Sequence, residues 1–493
     1  MADNGMSRTR EVPHVVVVGG GVAGLAAAFF LRNEPVRVTV LEGSSRIGGQ
    51  LAVSELAGTV VDEGAESTYA KRPKTARLLK EAGLADRVVS AGTKAMAIRT
   101  GGALRPLPDR QFMGVPCDMD ELAGAGLLSG AAVDRAREDA VRPMSAPDGD
   151  VSVAQFVGAR LGREVVDRLV DPFLADAYFG RADELSAAAT LSPLVGAARR
   201  HPSLAQAAAA LIPPLPADGV RPPTGISTLV GGLGRLPRVL ADALLAASPG
   251  SAVRTGSAVR ELARAAHGWR LTVDTAAGTQ VVDADAVVLA APAGAAGRLL
   301  AGVPGAGAAA SELSGVPHAG SVIITLAYPR GALDAMRALG HSGYRVPAVD
   351  GRPMKVVTFS TVKWPHLAGE VEIVRCQAGG SGDGAVLERD DADLVALAAA
   401  EVAGAAGVVG DPVAARVSRW ADAVPQYTVG HLDRVARIRA SVAAQPSLAV
   451  CGAVYDGVGI GQCVVSARGA ADQVLGSLRA AAPAAPAAAR ARD

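Results

Sequence analysis

A chain of 493 residues, 49% hydrophobic and 20% charged, is too long for one simple core and too apolar for extensive disorder. Its net charge of +1 argues against nucleic acid or a broad anionic membrane surface as the main partner. The four cysteines, Cys117, Cys376, Cys451 and Cys463, form no C-x-x-C pair, which argues against a disulfide framework or zinc site and fits a reducing cytoplasm.

After a polar arm to about Pro13, the segment VVVVGGGVAGLAAAFFL (Val15–Leu31) reads as a buried strand, a glycine loop and a helix. Gly19, Gly21 and Gly24 stand at G-x-G-x-x-G spacing, with Gly20, Val22 and Ala23 between them. The first glycine permits a tight turn and the second lets a pyrophosphate approach the backbone. The third lets the helix pack closely on the strand. The free N–H groups at the helix start then face the phosphates. A second apolar strand, Val36–Leu41, ends in Glu42 and Gly43, and the Glu42 carboxylate can accept both hydroxyls of a ribose. A membrane span or signal peptide would not place three glycines in its helix, and no other run is long and apolar enough to cross a bilayer.

Further along, Val115 to Val220 is predominantly helical by pattern. Its clearest element is Val153–Leu174, where Phe156, Val157, Leu161, Val165, Leu169 and Phe173 recur at helical spacing. Leu211–Gly225 is a proline-rich connector. Short strands and hairpins follow at Trp269 and over Val281–Pro292. More strands run from Ser321 to Cys376, then a helical stretch extends to Gly410. A last strand–turn–helix occupies Ser447–Leu478, before an Ala/Pro tail that reads as disordered. In that closing unit, Gly452, Gly457, Val458 and Gly459 lead into a helix starting near Ile460, whose first N–H groups carry positive partial charge. Any glycine-rich turn would also fit this last pattern.

Beyond Glu42 the chain reads LEGSSRIGGQLA and then GTVVDEGAES, with Arg46, Gly48 and Gly49 followed by Gly64, Ala65, Glu66 and Ser67. This second cluster resembles the flavin amine-oxidase superfamily, which implies FAD rather than NAD. Within the superfamily the chain resembles the protoporphyrinogen/coproporphyrinogen oxidase family. The segments that carry this are SVAQFVGARLGREVVDRLVDPFLADAYFG from Ser152, VPAVDGRP from Val346, VKWPH from Val362, VPQYTVGHLDRVARI from Val424 and GAVYDGVGI from Gly452. The chain departs from the family at Gly461, where proline is usual, and at Glu66, where the family has GADS or GPDS.

The resemblance implies an α/β (α+β overall) molecule with a Rossmann-like FAD-binding domain over 1–89, 225–300 and 413–478. A sheet-based substrate domain would comprise 90–115 and 301–412, with a helical insertion at 116–224 and a disordered tail from 479. It places Val253 at the adenine and Trp420 beside the flavin, and turns the Gly457–Ile460 helix toward the pyrimidine end of the ring. The implied reaction removes six electrons from a porphyrinogen in three two-electron cycles. Flavin-mediated hydride transfer, with dioxygen as acceptor and three peroxides as product, needs no catalytic side chain. No metal spacing is present, and His366 and His431 read as structural.

Substrate carboxylates require cations. Lys71 and Arg72 match a basic pair of the family, with Tyr69 beside them as a cavity wall. Arg345 and Lys363 are weaker candidates, weighed against solvated surface charges. Coproporphyrinogen III is preferred over protoporphyrinogen IX on indirect grounds: no anchoring segment, and a lysine-poor, alanine-rich composition that resembles the products of GC-rich, actinobacterial genomes. A ferrochelatase would receive the product, and peripheral membrane contact through the insertion stays open. Other readings are an amine or carotenoid oxidoreductase, and a flavin-binding partner protein without turnover.

Overall fold

In a computed structural model, residues 12–93, 95–142, 149–213 and 225–481 are described. Most of the N-terminal arm, the proline-rich connector and the tail lies outside the described residues. The fold is α/β, in two compact units: 1–49 with 236–315 and 437–493, and 50–235 with 316–436.

The first unit is built on a five-stranded parallel sheet. His14–Val18 is its middle strand. Arg37–Leu41 and then Ala252–Arg254 lie on one side, and Ala286–Leu289 and then Leu448–Val450 on the other. Strands covered on both faces read as continuous apolar runs, and Val15, Val16, Val17, Val38 and Val40 are all wholly buried. The strand order reverses at the middle strand, so the crevice beyond its carboxyl end is where such a sheet takes a ligand. The helix Val22–Leu31 is apolar on nearly every side because helices Leu236–Ala247 and Ile460–Ala480 both pack on it. Val281–Pro292 divides between two sheets. Gly278–Ala284 joins an antiparallel sheet with Ala258–Arg264 and Trp269–Thr275, whereas Ala286–Leu289 joins the parallel one. Asp285 makes the handover: its N–H donates to the His14 carbonyl (2.8 Å) and its carboxylate accepts the His14 N–H (2.7 Å).

The second unit holds a seven-stranded sheet that is antiparallel except at one pair. Its order is Ala414–Pro425, His318–Pro329, Val371–Gly379, Met354–Phe359, Gly343–Arg345, Met96–Thr100 and Ala103–Pro106. Leu394, Ala398 and Val402 of helix Asp391–Ala406 share one core with Val322, Ile324, Val374 and Cys376 of the sheet. Among the described residues from Met119 to Ala209 the regular elements are short helices, as the pattern indicates.

The long helix expected over Val153–Leu174 is broken. It runs as Val153–Leu161, Arg163–Val165, a wider turn Val166–Val170, and Asp171–Tyr178. Gly162 has φ +90°, which a helix cannot contain, and Arg135 caps the first segment by donating to the carbonyls of Ala159 and Arg160. Pro172 has no N–H to give to the preceding turn, so the register relaxes ahead of it. Periodicity survives the break because each segment buries its own apolar face.

Candidate functional site

In the first unit the three motif glycines have three separate physical causes. Gly19 has φ +111°, and a Cβ there would lie 2.6 Å from the Ala290 carbonyl oxygen. A Cβ at Gly24 would run into the Gly19 carbonyl oxygen, so the helix closes on the strand only because side chains are missing. Gly21 differs: its φ of −72° and ψ of 178° suit any residue, and beyond Gly20, Gly21 and Val22 themselves no protein atom lies within 4 Å of the position a Cβ would take. Nothing in the fold of this unit forbids a side chain at Gly21. Val22 and Ala23 begin the helix, with no side-chain cap and no acidic residue in the first turn.

Glu42 sits where the second strand ends. One carboxylate oxygen accepts the Gly20 N–H (2.6 Å) and the other the Ser44 N–H (2.8 Å). Each oxygen keeps a second lone pair, enough for the two hydroxyls of a ribose. Gly43 packs toward Ala258, and Val253, opposite Val40, forms the next strand outward. Arg46 shapes its own turn by donating to the carbonyls of Ile47 (3.3 Å) and Gly49 (2.7 Å). Gly48 and Gly49 have positive φ, and the Gly48 N–H donates to the Gly20 carbonyl (2.8 Å), so the second glycine cluster docks on the first. At the other end of the sequence, Gly452 (φ +132°) donates to the Ser466 hydroxyl, and Gly457 has φ +127°. Val458 and Gly459 lead into the helix at Ile460, again without a side-chain cap or an acid in the first turn. The Gln462 side chain, next to the unusual Gly461, folds back along Gly457 and Gly459 and leaves no room for a Cβ at either.

The second unit holds the other sequence-derived candidates. A Cβ at Gly64 would strike the Gln50 carbonyl and approach the Trp420 ring to 3.1 Å, while the Trp420 indole N–H donates to the Glu63 carbonyl (3.0 Å). Ala65 is exposed and Ser67 half-buried. Glu66 is 11% exposed and meets two cations, Lys363 Nζ at 2.6 Å and Arg375 at 2.8 Å, with the Ser360 hydroxyl at 3.3 Å. Burial alone would raise this carboxyl, but Lys363 and Arg375 outweigh it and hold it at about 2. Tyr69, Lys71 and Arg72 are exposed together, with the Arg72 guanidinium 4.6 Å from the Tyr69 ring centroid. Arg345 and Lys363 are not solvated surface charges. Arg345, 11% exposed, pairs with Asp176 at 2.7 Å and lies over Phe173 at 3.8 Å. Lys363, 15% exposed, is committed to Glu66. His431 stacks on Tyr427 at 4.1 Å, and burial lowers the His366 pKa.

Sequence reasoning missed Arg375 and Asp62. An arginine between Val374 and Cys376 in a buried strand was a signal, since an arginine there needs a partner. Asp62 is buried and accepts the N–H groups of Leu233 (3.1 Å) and Gly234 (2.9 Å). Burial raises its pKa to about 6 despite those bonds. Because the folded value lies above the unfolded one, Asp62 contributes stability that is complete below about pH 4 and is lost as pH rises through about 6. The effect is about 3 kcal/mol. The thermal midpoint of this unit is expected to fall between about pH 4 and 6.5 and to level off above that, and to fall less in Asp62→Asn, as read by a melting series.

A profile of the family described as flavin containing amine oxidoreductase matches residues 22–475. The coproporphyrinogen III oxidase of Mycobacterium tuberculosis is 36% identical over 471 residues, spanning 94% of this chain and 98% of that protein. The protoporphyrinogen oxidase of Bos taurus is 29% identical over 495 residues, 94% of this chain and 98% of its own length. A crystal structure from Exiguobacterium sp. 255-15 superimposes with a TM-score of 0.81 at 27% identity, covering 94% of this chain and 98% of that one.

Proposed function

The chain belongs to the flavin-containing amine oxidoreductase family, and on that premise we propose that it is an FAD-dependent coproporphyrinogen III oxidase. It would convert coproporphyrinogen III to coproporphyrin III in haem biosynthesis, with dioxygen as acceptor and hydrogen peroxide as by-product. The observation that carries this reading is the 36% identity to a protein of that name across 94% of the chain. Protoporphyrinogen IX is the second substrate considered, because the bovine relative of that name also matches over nearly the whole chain.

The residues present fit FAD. Gly21 has room for a close phosphate that no protein atom needs, and Glu42 keeps a lone pair on each oxygen for a ribose diol. Bound FAD would supply the redox chemistry, taking electrons in pairs and passing them to dioxygen. The chain's own part is to bind and orient. Gly19–Gly24 and the Val22 helix start would meet the pyrophosphate, with the Arg46–Gly49 turn beside them. Val253 would flank the adenine, and the uncapped helix start at Ile460 would offer N–H groups to the flavin pyrimidine edge. Gly64–Ser67 and Trp420 complete the proposed cofactor set. Tyr69, Lys71 and Arg72 would meet the substrate carboxylates, exposed and with no carboxylate paired to them among the described residues. No helix among the described residues is long and apolar enough to cross a membrane, and a cytoplasmic location is part of the proposal.

The test supplies each porphyrinogen in air to the purified protein and follows porphyrin fluorescence and peroxide in parallel. Coproporphyrinogen III is expected to be oxidised faster, with about three peroxides per porphyrin formed. Faster oxidation of protoporphyrinogen IX would reverse the substrate order. A flavin-loaded protein that oxidises neither would defeat the catalytic reading.

A further inference from the structure

Glu66 stands where the family's segment carries aspartate, and the second unit meets it with more than a simple ion pair. Lys363 reaches it from the short helix Ser360–Lys363 and Arg375 from the strand Val371–Gly379, so one carboxylate is held from two separate elements. Arg375 holds the same turn at a second point by donating to the Gly64 carbonyl. Two residues on, Thr68 pairs with Ser227 in both directions, N–H to carbonyl at 2.8 Å each way. The backbone from Gly64 to Thr68 is therefore fixed on both sides. Directly beyond it come Tyr69, half exposed at 50%, the buried Ala70, and the exposed Lys71 and Arg72.

We propose that Lys363 and Arg375 are positioning residues for substrate binding: acting through Glu66, they set the direction in which Tyr69, Lys71 and Arg72 leave the fold toward the substrate carboxylates. The proposal rests on the reading of Lys71 and Arg72 as carboxylate partners. It assigns Lys363 a role one step removed from the substrate, in place of direct contact. Paired hydrogen bonds to a carboxylate are sensitive to displacements of a fraction of an ångström, so a segment whose root is held by one cation instead of two loses geometry before it loses its fold. Removing Lys363 leaves Glu66 with Arg375 and the Ser360 hydroxyl, so the carboxylate stays paired.

The experiment titrates coproporphyrin III, the unreactive product, into the flavin-loaded protein and reads fluorescence, with a thermal melt alongside. Lys363→Met is expected to weaken binding about tenfold, with KM for coproporphyrinogen III rising more than kcat falls, and Lys363→Arg to restore most of it. In a Lys71→Ala/Arg72→Ala background the same Lys363→Met change is expected to add nothing, because its effect passes through those side chains. Unaltered binding in Lys363→Met, or an undiminished loss in the double-alanine background, would overturn the positioning role. If Lys71→Ala/Arg72→Ala itself binds coproporphyrin III as the parent does, the carboxylate reading fails instead. If Lys363→Met does not fold, Glu66→Gln, which keeps the acceptor oxygen, carries the same comparison.

Discussion

Gly21→Val is expected to give a folded protein that no longer retains flavin, whereas Gly24→Val is expected not to fold its first unit at all. The two glycines stand three positions apart in one motif, and local rules treat them alike. Their surroundings do not. A side chain at Gly24 would occupy the position of the Gly19 carbonyl oxygen, which belongs to the loop that joins the middle strand to its helix. Only separation of helix from strand could relieve that clash. This would expose Leu25, Ala26 and Phe29, all wholly buried, at a cost of several kcal/mol. At Gly21 the backbone is extended and the protein offers no obstacle within 4 Å, so valine costs the apoprotein almost nothing. The space it fills is the approach to the helix start. A loss of at least about 100-fold in flavin affinity, roughly 3 kcal/mol, is expected from fluorescence titration. The melting temperature of apo Gly21→Val should match that of the apo parent. Retained flavin in Gly21→Val would remove the phosphate from this loop.

Glu66→Leu is expected to destabilise the second unit by about 4 kcal/mol, since it leaves Lys363 and Arg375 buried without their anion. The two cations are then close neighbours, with the Gly64 carbonyl and the more distant Asp62 on Arg375 and the Trp364 ring, 5.0 Å from Lys363, as weaker compensation. A drop of the order of 10 °C in the melting temperature would register it. The pH dependence of the parent runs in the matching direction. The Glu66 carboxyl is held at about 2 against an ordinary 4.5, so its contribution is present above about pH 4.5 and is lost as pH falls toward 2. Acid melting of Glu66→Gln should lack that component. A Glu66→Leu protein as stable as the parent would mean that water, and not the fold, surrounds these cations.

The glycine loop and the helix at Ile460 were legible in the sequence because their causes are local. Gly19 answers to its own φ, Gly24 to a carbonyl five residues back, and the Ile460 helix starts where the glycine run ends. The Glu66 clamp was illegible because its partners lie about three hundred residues away, and no spacing rule joins GAES to VKWPH or EIVRCQ. Arg345 and Lys363 read as carboxylate-binding candidates weighed against solvated surface charges. What separates a buried pair from a solvated charge is Asp176 or Glu66, and the sequence does not say which carboxylate faces which cation. The break in Val153–Leu174 was available in Gly162, but apolar periodicity continues across it and reads as one helix.

The first helix of the chain, Val22–Leu31, has a bearing on how the protein is made. Its apolar surface is covered by Leu236–Ala247 and Ile460–Ala480, the second of which leaves the ribosome last among the elements described here. At about 5–20 residues per second, a nascent chain would carry that uncovered helix for tens of seconds. The parallel sheet gains its edge strand, Leu448–Val450, in the same final interval. The nucleotide fold is therefore begun first in synthesis and closed last, and its early helix stays uncovered until the far end of the described chain has emerged.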